Sequence, residues 1–312
     1  MGLRVIFFGN SHSHFSNRFF QALCDTACTL VGVVDSPAAK QGSTIPLTGR
    51  ENFLRRQAAD LGMPIYCPDR PNDSEFITRL RGLNPDVLIA IGYTNILKKP
   101  ILELPRRCAV NFHASLLPAY RGKHPVFWCL RNGERWSGLT VHIMDEGIDS
   151  GDILYQVKVR TRRTDTVASL YERVIERSLA LVPRLVEEVE RGVIRPEPQE
   201  QSGASYHSSI REEDLRINWG APAESIRRWI AISPGECFAT SRGERIFFMD
   251  AEVTTIPAGK IPGEIVKIGR ELGVVAARDG GLRFRRVRYQ NGEVGTFGET
   301  CNRLGLREGK QI

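Results

Sequence analysis

The sequence predicts an α/β protein: a Rossmann-like, mostly parallel sheet followed by a small C-terminal β-barrel of the OB-like kind. Three observations carry that expectation. Strand and helix signals alternate over residues 1–160. A long amphipathic stretch then runs into Arg195-Pro196-Glu197-Pro198-Gln199 and Gln201-Ser202-Gly203, which read as a linker. Beyond it the pattern changes to short β-like runs divided by Gly and Asp-Gly turns. The expected division is a catalytic domain over residues 1–192, a linker over 193–204 and a barrel domain over 205–312.

Each element has its own signal. Leu3 to Phe8 is a continuous apolar run ending at Gly9, as a strand buried on both faces would be. Phe15 to Leu23 has helical spacing, and Leu30 to Val34 is a second strand ending at Asp35. Gly42 to Gly49 reads as loop, and Glu51 to Leu61 as an amphipathic helix stopped by Gly62. Asp73 or Ser74 caps a helix that stops near Gly82. Val87 to Ile91 and Ala109 to Phe112 are further strands. Thr166 to Arg191 reads as one long helical stretch, with Leu170, Val174, Leu179, Leu181, Leu185 and Val186 on its apolar face. In the C-terminal part Pro222 to Ile230 is a short helix. Arg245 to Phe248, Glu264 to Ile268, Gly273 to Ala277 and Leu282 to Tyr289 are strands.

Composition narrows the class. With 41% hydrophobic and 25% charged residues over 312 positions, the chain reads as a soluble globular protein. No apolar run approaches the roughly 18 residues of a membrane span. The start reads as a first strand rather than a signal peptide, which points to the cytoplasm. Seven cysteines without a C-x-x-C pair read as reduced, buried thiols rather than a metal or disulfide framework, so no metal is expected. The net charge of +7 divides as +4 over residues 1–202 and +3 over 203–312, which permits a polyanionic partner without demanding one.

The chemistry concentrates between residues 111 and 151. Asn111 and His113, two apart on a strand, point to one face, and both can donate to one developing oxyanion. Asp149 can hold His113 in its charged form or take a proton through a water. Such a set suits an amine attacking a carbonyl carbon. Spacing alone leaves open that Asn111 and His113 only tie down a strand end and that Asp149 only makes a turn. Ser115-Leu116-Leu117-Pro118 reads as an exposed turn. Gly9-Asn10-Ser11 follows the first strand, where backbone N–H groups can meet an anion, and is a weak acceptor-binding candidate. His12 and His14 read as surface residues. His124 and His142 are candidates to line the cleft, His142 equally a satisfied core residue. Arg283 to Tyr289 alternates basic and apolar positions, as a solvated barrel strand or a nucleic-acid face would.

Taken together, Asn111-x-His113, Ser115-Leu116-Leu117-Pro118, Arg121-Gly122, Thr140 and Ile148-Asp149-Ser150-Gly151 resemble the signature of the folate-dependent formyltransferases. The resemblance covers nearly the whole chain, with Ser205-Tyr206 through Ile217-Asn218-Trp219 looking like the start of the family's C-terminal barrel. It implies a 10-formyltetrahydrofolate co-substrate and formyl transfer to an amine. Asn111, His113 and Asp149 match the family's catalytic amide, imidazole and carboxylate. Ser115, Leu116, Leu117 and Pro118 match its folate-contacting turn, and Gly92 and Tyr93 fall where members line the pterin pocket.

The resemblance leaves the acceptor open. Family members that act on transfer RNA carry a basic, glycine-rich loop after the second strand, whereas the stretch from Asp35 to Ser43 has one lysine, Lys40. That departure favours a small-molecule amine acceptor, a sugar nucleotide or hydroxyornithine, over initiator methionyl-tRNA. Hydrolysis, with water as acceptor, ranks third. A non-catalytic folate- or nucleic-acid-binding protein is the other class, and the intact trio argues against it. Oligomeric state is not legible.

Overall fold

A computed structural model of the chain describes residues 2–37 and 53–312. The loop read at Gly42 to Gly49, Lys40 and the first two residues of the Glu51–Leu61 helix lie outside the described residues. The chain folds into two compact units. The first takes the residues up to Val126, then Trp136–Arg160 and Ala168–Ser208; the second takes Phe127–Arg135, Thr161–Val167 and Ser209–Ile312.

The first unit is a seven-stranded sheet with helices. In chain order its elements are β1 (Arg4–Gly9), α1 (His14–Cys24), β2 (Thr29–Asp35), α2 (Phe53–Asp60), β3 (Ile65–Tyr66), α3 (Ser74–Gly82), β4 (Val87–Ile91), α4 (Lys99–Leu102) and β5 (Cys108–His113). A two-residue strand β6 (Arg121–Gly122), the helix α5 (Pro125–Asn132), most of which belongs to the second unit, β7 (Trp136–Ile143), β8 (Ile153–Arg160), α6 (Val167–Ser178), α7 (Leu181–Glu190) and β9 (Tyr206–His207) follow. The sheet order is β3-β2-β1-β4-β5-β7-β8. All pairs are parallel as far as β5; β7 then pairs antiparallel with β5, and β8 antiparallel with β7. This is the mostly parallel α/β sheet that the alternating pattern predicts.

The central strands are apolar on both faces because helices cover both. Ile6 and Phe8 join Phe76, Ile77 and Leu80 of α3 in one core cluster. Phe7 meets Phe20 of α1 at a 4.9 Å ring separation. Helix α1 starts where the Ser13 hydroxyl accepts from Ser16 N, and its buried Phe15, Phe19, Phe20 and Leu23 form one stripe. Phe19 is fully buried and packs edge-on against Phe112, 5.3 Å away, which lies between Asn111 and His113 and faces away from them. Phe19→Ala should therefore destabilise the first unit by about 3–5 kcal/mol, read as a lowered denaturant midpoint with an unchanged slope.

The single helix expected over Thr166 to Arg191 is two, broken at Leu179-Ala180. Pro183 explains the break: it has no N–H to donate, and its ring would clash with the carbonyl of Leu179 in a continuous helix. The stretch 193–204, read as a linker, is packed on the first unit. Glu197 bridges Ile153 at the head of β8, and β9 pairs in parallel with β6.

The second unit holds the antiparallel strand domain. Helices α8 (Glu212–Leu215) and α9 (Ala223–Ile232) precede strands β10 (Phe238–Ser241), β11 (Glu244–Phe248), β12 (Glu252–Thr254), β13 (Ile265–Ile268), β14 (Gly273–Ala277), β15 (Gly280–Phe284), β16 (Arg286–Arg288) and β17 (Val294–Thr296), and α10 (Phe297–Arg303) closes it. Two four-stranded sheets, β10-β11-β16-β17 and β12-β15-β14-β13, enclose one core in which Phe248, Phe284 and Phe297 are fully buried. The single strand read from Leu282 to Tyr289 is divided at Arg285, where the chain leaves one sheet for the other. The Asp250 carboxylate accepts from Arg285 N and Arg286 N at 2.8 and 3.2 Å, which fixes the corner. The alternating arginines therefore do not share one strand. Among the described residues no helix is long and apolar enough to cross a membrane and no metal-ligating cluster exists. All seven cysteines are free; Cys108, Cys129, Cys237 and Cys301 are buried, Cys24 and Cys28 half-buried and Cys67 exposed, which departs from the reading of uniformly buried thiols.

Candidate active site

Parallel strands β1, β4 and β5 are neighbours, so their carboxyl ends lie side by side. Asn111 and His113 sit at the end of β5. The antiparallel register sets His142 of β7 opposite Asn111 and Thr140 opposite His113. Asp149 lies in the turn between β7 and β8, in the left-handed region at φ 51°. Left-handed backbone is uncommon for residues other than glycine and tends to collect at functional sites. Two glycines make the turn and its partner loop possible. A Cβ at Gly151 would come within 2.0 Å of the Ile143 carbonyl, and one at Gly122 within 2.2 Å of the His207 carbonyl.

The structure brings Asn111, His113 and Asp149 together. Asn111 Nδ2 donates to Asp149 Oδ1 at 3.2 Å, and His113 Nδ1 stands 3.5 Å from Asp149 Oδ2. Gly122 N donates to Asp149 Oδ2 at 2.8 Å. His113 Nε2 donates to the Tyr120 carbonyl at 2.8 Å, so both of its ring nitrogens face acceptors. His142, buried, belongs to the same cluster. Its Nδ1 donates to the Ile143 carbonyl at 2.8 Å, and its Nε2 lies 3.2 Å from Asn111 Nδ2 and 3.5 Å from Asp149 Oδ1. Burial raises the cost of the Asp149 carboxylate. The facing imidazoles of His113 and His142 and the Gly122 N–H outweigh that and hold its pKa well below the usual carboxylate range. The result is an ionised acid in contact with an amide and two imidazoles at a strand end.

The turn after β5 is pinned from β7 and β8. Thr140 Oγ1 donates to the Ser115 carbonyl at 2.7 Å and accepts from Leu117 N at 3.1 Å; Gln156 Nε2 donates to the Leu117 carbonyl at 2.7 Å. The Leu117–Pro118 peptide is cis. Ser115 and Leu117 are buried, which corrects the reading of an exposed turn; only Leu116 and Pro118 are half-open. Gly92, exposed with φ 66°, and Tyr93 follow β4, the strand beside β5. The Tyr93 ring packs edge-on against Phe8 at 5.2 Å, and burial pushes its phenol up to about 12.

The anion-binding reading of Gly9, Asn10 and Ser11 does not hold. Their position at the end of β1 is as expected, but the N–H groups that follow the strand are used internally. Asn10 N donates to Ser16 Oγ, Ser11 N to the buried Asp35 carboxylate at 2.8 Å, and His12 N to Asn10 Oδ1. His14 pairs with Glu172 of α6 at 2.7 Å, and burial lowers the pKa of His124.

One contributor had no sequence signal. Gln199, from the stretch read as a linker, is buried and donates to the carbonyls of Asp149 and Gly151 at 2.9 and 2.7 Å.

Comparison with known proteins agrees with this architecture. Residues 3–186 match the family model described as Formyl transferase, and residues 209–304 that described as Formyl transferase, C-terminal domain. A methionyl-tRNA formyltransferase of Thermodesulfovibrio yellowstonii is 31% identical, covering 99% of this chain and 98% of that protein. One from Synechococcus sp. is 32% identical over the same shares. Among solved structures, an N-formyltransferase from Helicobacter canadensis in complex with folinic acid and dTDP-3-aminofucose superposes with a TM-score of 0.67 at 18% identity, covering 92% of this chain and all of that one. HypX from Aquifex aeolicus, in complex with tetrahydrofolic acid, gives a TM-score of 0.61 at 19% identity over 97% of this chain and 48% of its own. At such identities the structural likeness speaks for the fold, while the family matches span most of the sequence: the chain belongs to the formyltransferase family.

Proposed function

We propose that the protein transfers the formyl group of 10-formyltetrahydrofolate to the amino group of methionyl-tRNA. The observation that carries the transfer chemistry is the ionised Asp149 in contact with Asn111 and facing His113 and His142. The amine nitrogen attacks the formyl carbon to give a tetrahedral adduct; on its collapse the bond from carbon to the folate nitrogen breaks, and the proton that the amine gives up passes to that nitrogen. The formyl oxygen gains charge in that adduct and needs donors already aimed at it. The Asn111 amide and the Nδ1 edge of His113 supply them, because their present contacts of 3.2 and 3.5 Å are long enough to yield to an oxyanion. Asp149 balances the charge on the imidazole and takes the amine proton, directly or through a water. The site fits a folate carrier on one further count. Thr94 Oγ1, just beyond β4, is buried without a hydrogen-bond partner among the described residues, and a pterin edge offers it one.

The acceptor assignment replaces the small-molecule preference read from the sequence. It is supported by methionyl-tRNA formyltransferases at 31% and 32% identity over nearly the full length of both proteins. A small-molecule amine remains the second reading because the stretch Asp35 to Ser43 carries a single lysine. Incubation with 10-formyltetrahydrofolate and charged initiator tRNA should yield formyl-methionyl-tRNA. At subsaturating tRNA the rate should fall at least about tenfold between 50 and 200 mM salt, as counterion release requires. Turnover on a nucleotide-linked amino sugar with none on the tRNA at low salt would replace the first reading by the second.

A further inference from the structure

Residues 197–207 form a brace behind the trio. Glu197 exchanges two backbone hydrogen bonds with Ile153, at 2.7 and 2.8 Å. The Ser205 hydroxyl accepts from Tyr120 N at 2.8 Å, and the His207 ring stacks on Tyr120, 5.1 Å away and 11° from parallel. Tyr120, itself at φ 62°, presents the carbonyl that binds His113 Nε2. Between these anchors lies Gln199. Its amide nitrogen ties together the Asp149 and Gly151 carbonyls, and its oxygen accepts from Arg121 Nε and Nη2 at 3.2 and 2.7 Å. All four hydrogen-bonding sites of the buried amide are thus engaged with the two segments that carry Asp149 and its Gly122 donor.

We propose that Gln199 is a positioning residue for Asp149, holding the 149–151 turn in its left-handed form while anchoring Arg121 next to Gly122. The physical reason is the strain of the turn. A non-glycine residue at φ 51° persists only where its surroundings over-determine it. The two carbonyls that turn inward would otherwise be buried acceptors without a donor. Gln199 supplies both donors from one rigid amide. It lies between the matched segments 3–186 and 209–304, in neither of which it is counted. The inference rests on the formyl-transfer reading for its kinetic consequence, but not for its structural one.

Two variants of similar volume separate the ends of the amide. Gln199→Met loses every hydrogen bond. Gln199→Glu keeps acceptors for Arg121 and loses the donors to the carbonyls. Both should lower kcat by about ten- to a hundredfold, the cost of a small displacement of a reacting group, while KM for 10-formyltetrahydrofolate stays within about twofold. In ¹³C-labelled protein without substrate, the Asp149 carboxyl should titrate at higher pH in Gln199→Met than in wild type, because the loosened turn withdraws it from the Gly122 N–H. Wild-type kcat in Gln199→Glu would overturn the proposal and reduce Gln199 to an anchor for Arg121. An unmoved Asp149 titration in Gln199→Met would overturn it equally. If the wild-type enzyme itself transferred no formyl group, the functional reading would fall, and the titration would still decide the role of Gln199.

Discussion

Asp149→Asn should lower kcat by about three orders of magnitude, within the range expected for loss of a positioned acid–base group. The substitution keeps the shape of the side chain and an oxygen for the Gly122 N–H. It removes the charge that faces His113 and His142, 3.5 Å from each. KM for the folate should change little, since the loss falls on the transition state. The pH behaviour distinguishes this from a general disturbance. Because the Asp149 pKa is depressed on folding, ionised Asp149 contributes stability above its unfolded value near 4, and this contribution is lost as pH falls through the lower folded value. The stability difference between wild type and Asp149→Asn should therefore be constant above about pH 5 and shrink toward acid, in chemical denaturation at a series of pH values. The same depression keeps Asp149 ionised throughout the working range. The acid limb of kcat/KM should consequently follow the acceptor amine, near pH 8 for an ordinary α-amino group, and not a carboxylate. An acid limb near pH 4 would contradict it.

His113→Ala should cost a comparable 10²- to 10³-fold in kcat, the usual loss on removing one donor to a developing oxyanion. Folate affinity, measured by calorimetry with a non-transferable analogue, should remain within a few-fold. A protein that only binds folate would have no turnover to lose. The imidazole is buried and its Nε2 satisfies the Tyr120 carbonyl, so the alanine variant should also lose about 1–3 kcal/mol of stability. His113→Gln, which can still donate to that carbonyl, should recover part of the stability and little of the rate. Equal recovery of both would assign His113 a purely structural place.

The trio was legible because strand geometry does most of the work. Residues 111 and 113 must share a face, and the polar burst at 148–152 stands beside an apolar run; that this burst is the turn of the β7–β8 hairpin emerges only in the structure. The parallel sheet was legible from runs that end at Gly9, Asp35 and Gly92. What escaped depends on partners distant in sequence. The place of His142 follows from the β5–β7 register, which periodicity alone does not set. Gln199 bonds to backbone carbonyls 48 and 50 residues away, and a carbonyl has no sequence signature. The anion-binding reading at Gly9-Asn10-Ser11 failed because the N–H groups find Ser16, Asp35 and Asn10 first. The break before α7 had a signal in Pro183, which the apolar periodicity outweighed. The corner at Arg285 had only Asp250, far along the chain.

That the chain stays on the first unit from α7 to Ser208 bears on where the protein can be cut or fused. A fragment ending at the last residue of the sheet and its helices would carry every side chain of the trio and yet lack the ladder between Glu197 and Ile153 and the pairing of β9 with β6. During synthesis the centre is finished only when His207 has emerged, some sixty residues after Asp149. A transplantable module must therefore run at least to Ser208, past the stretch 193–204 that composition marks as a spacer.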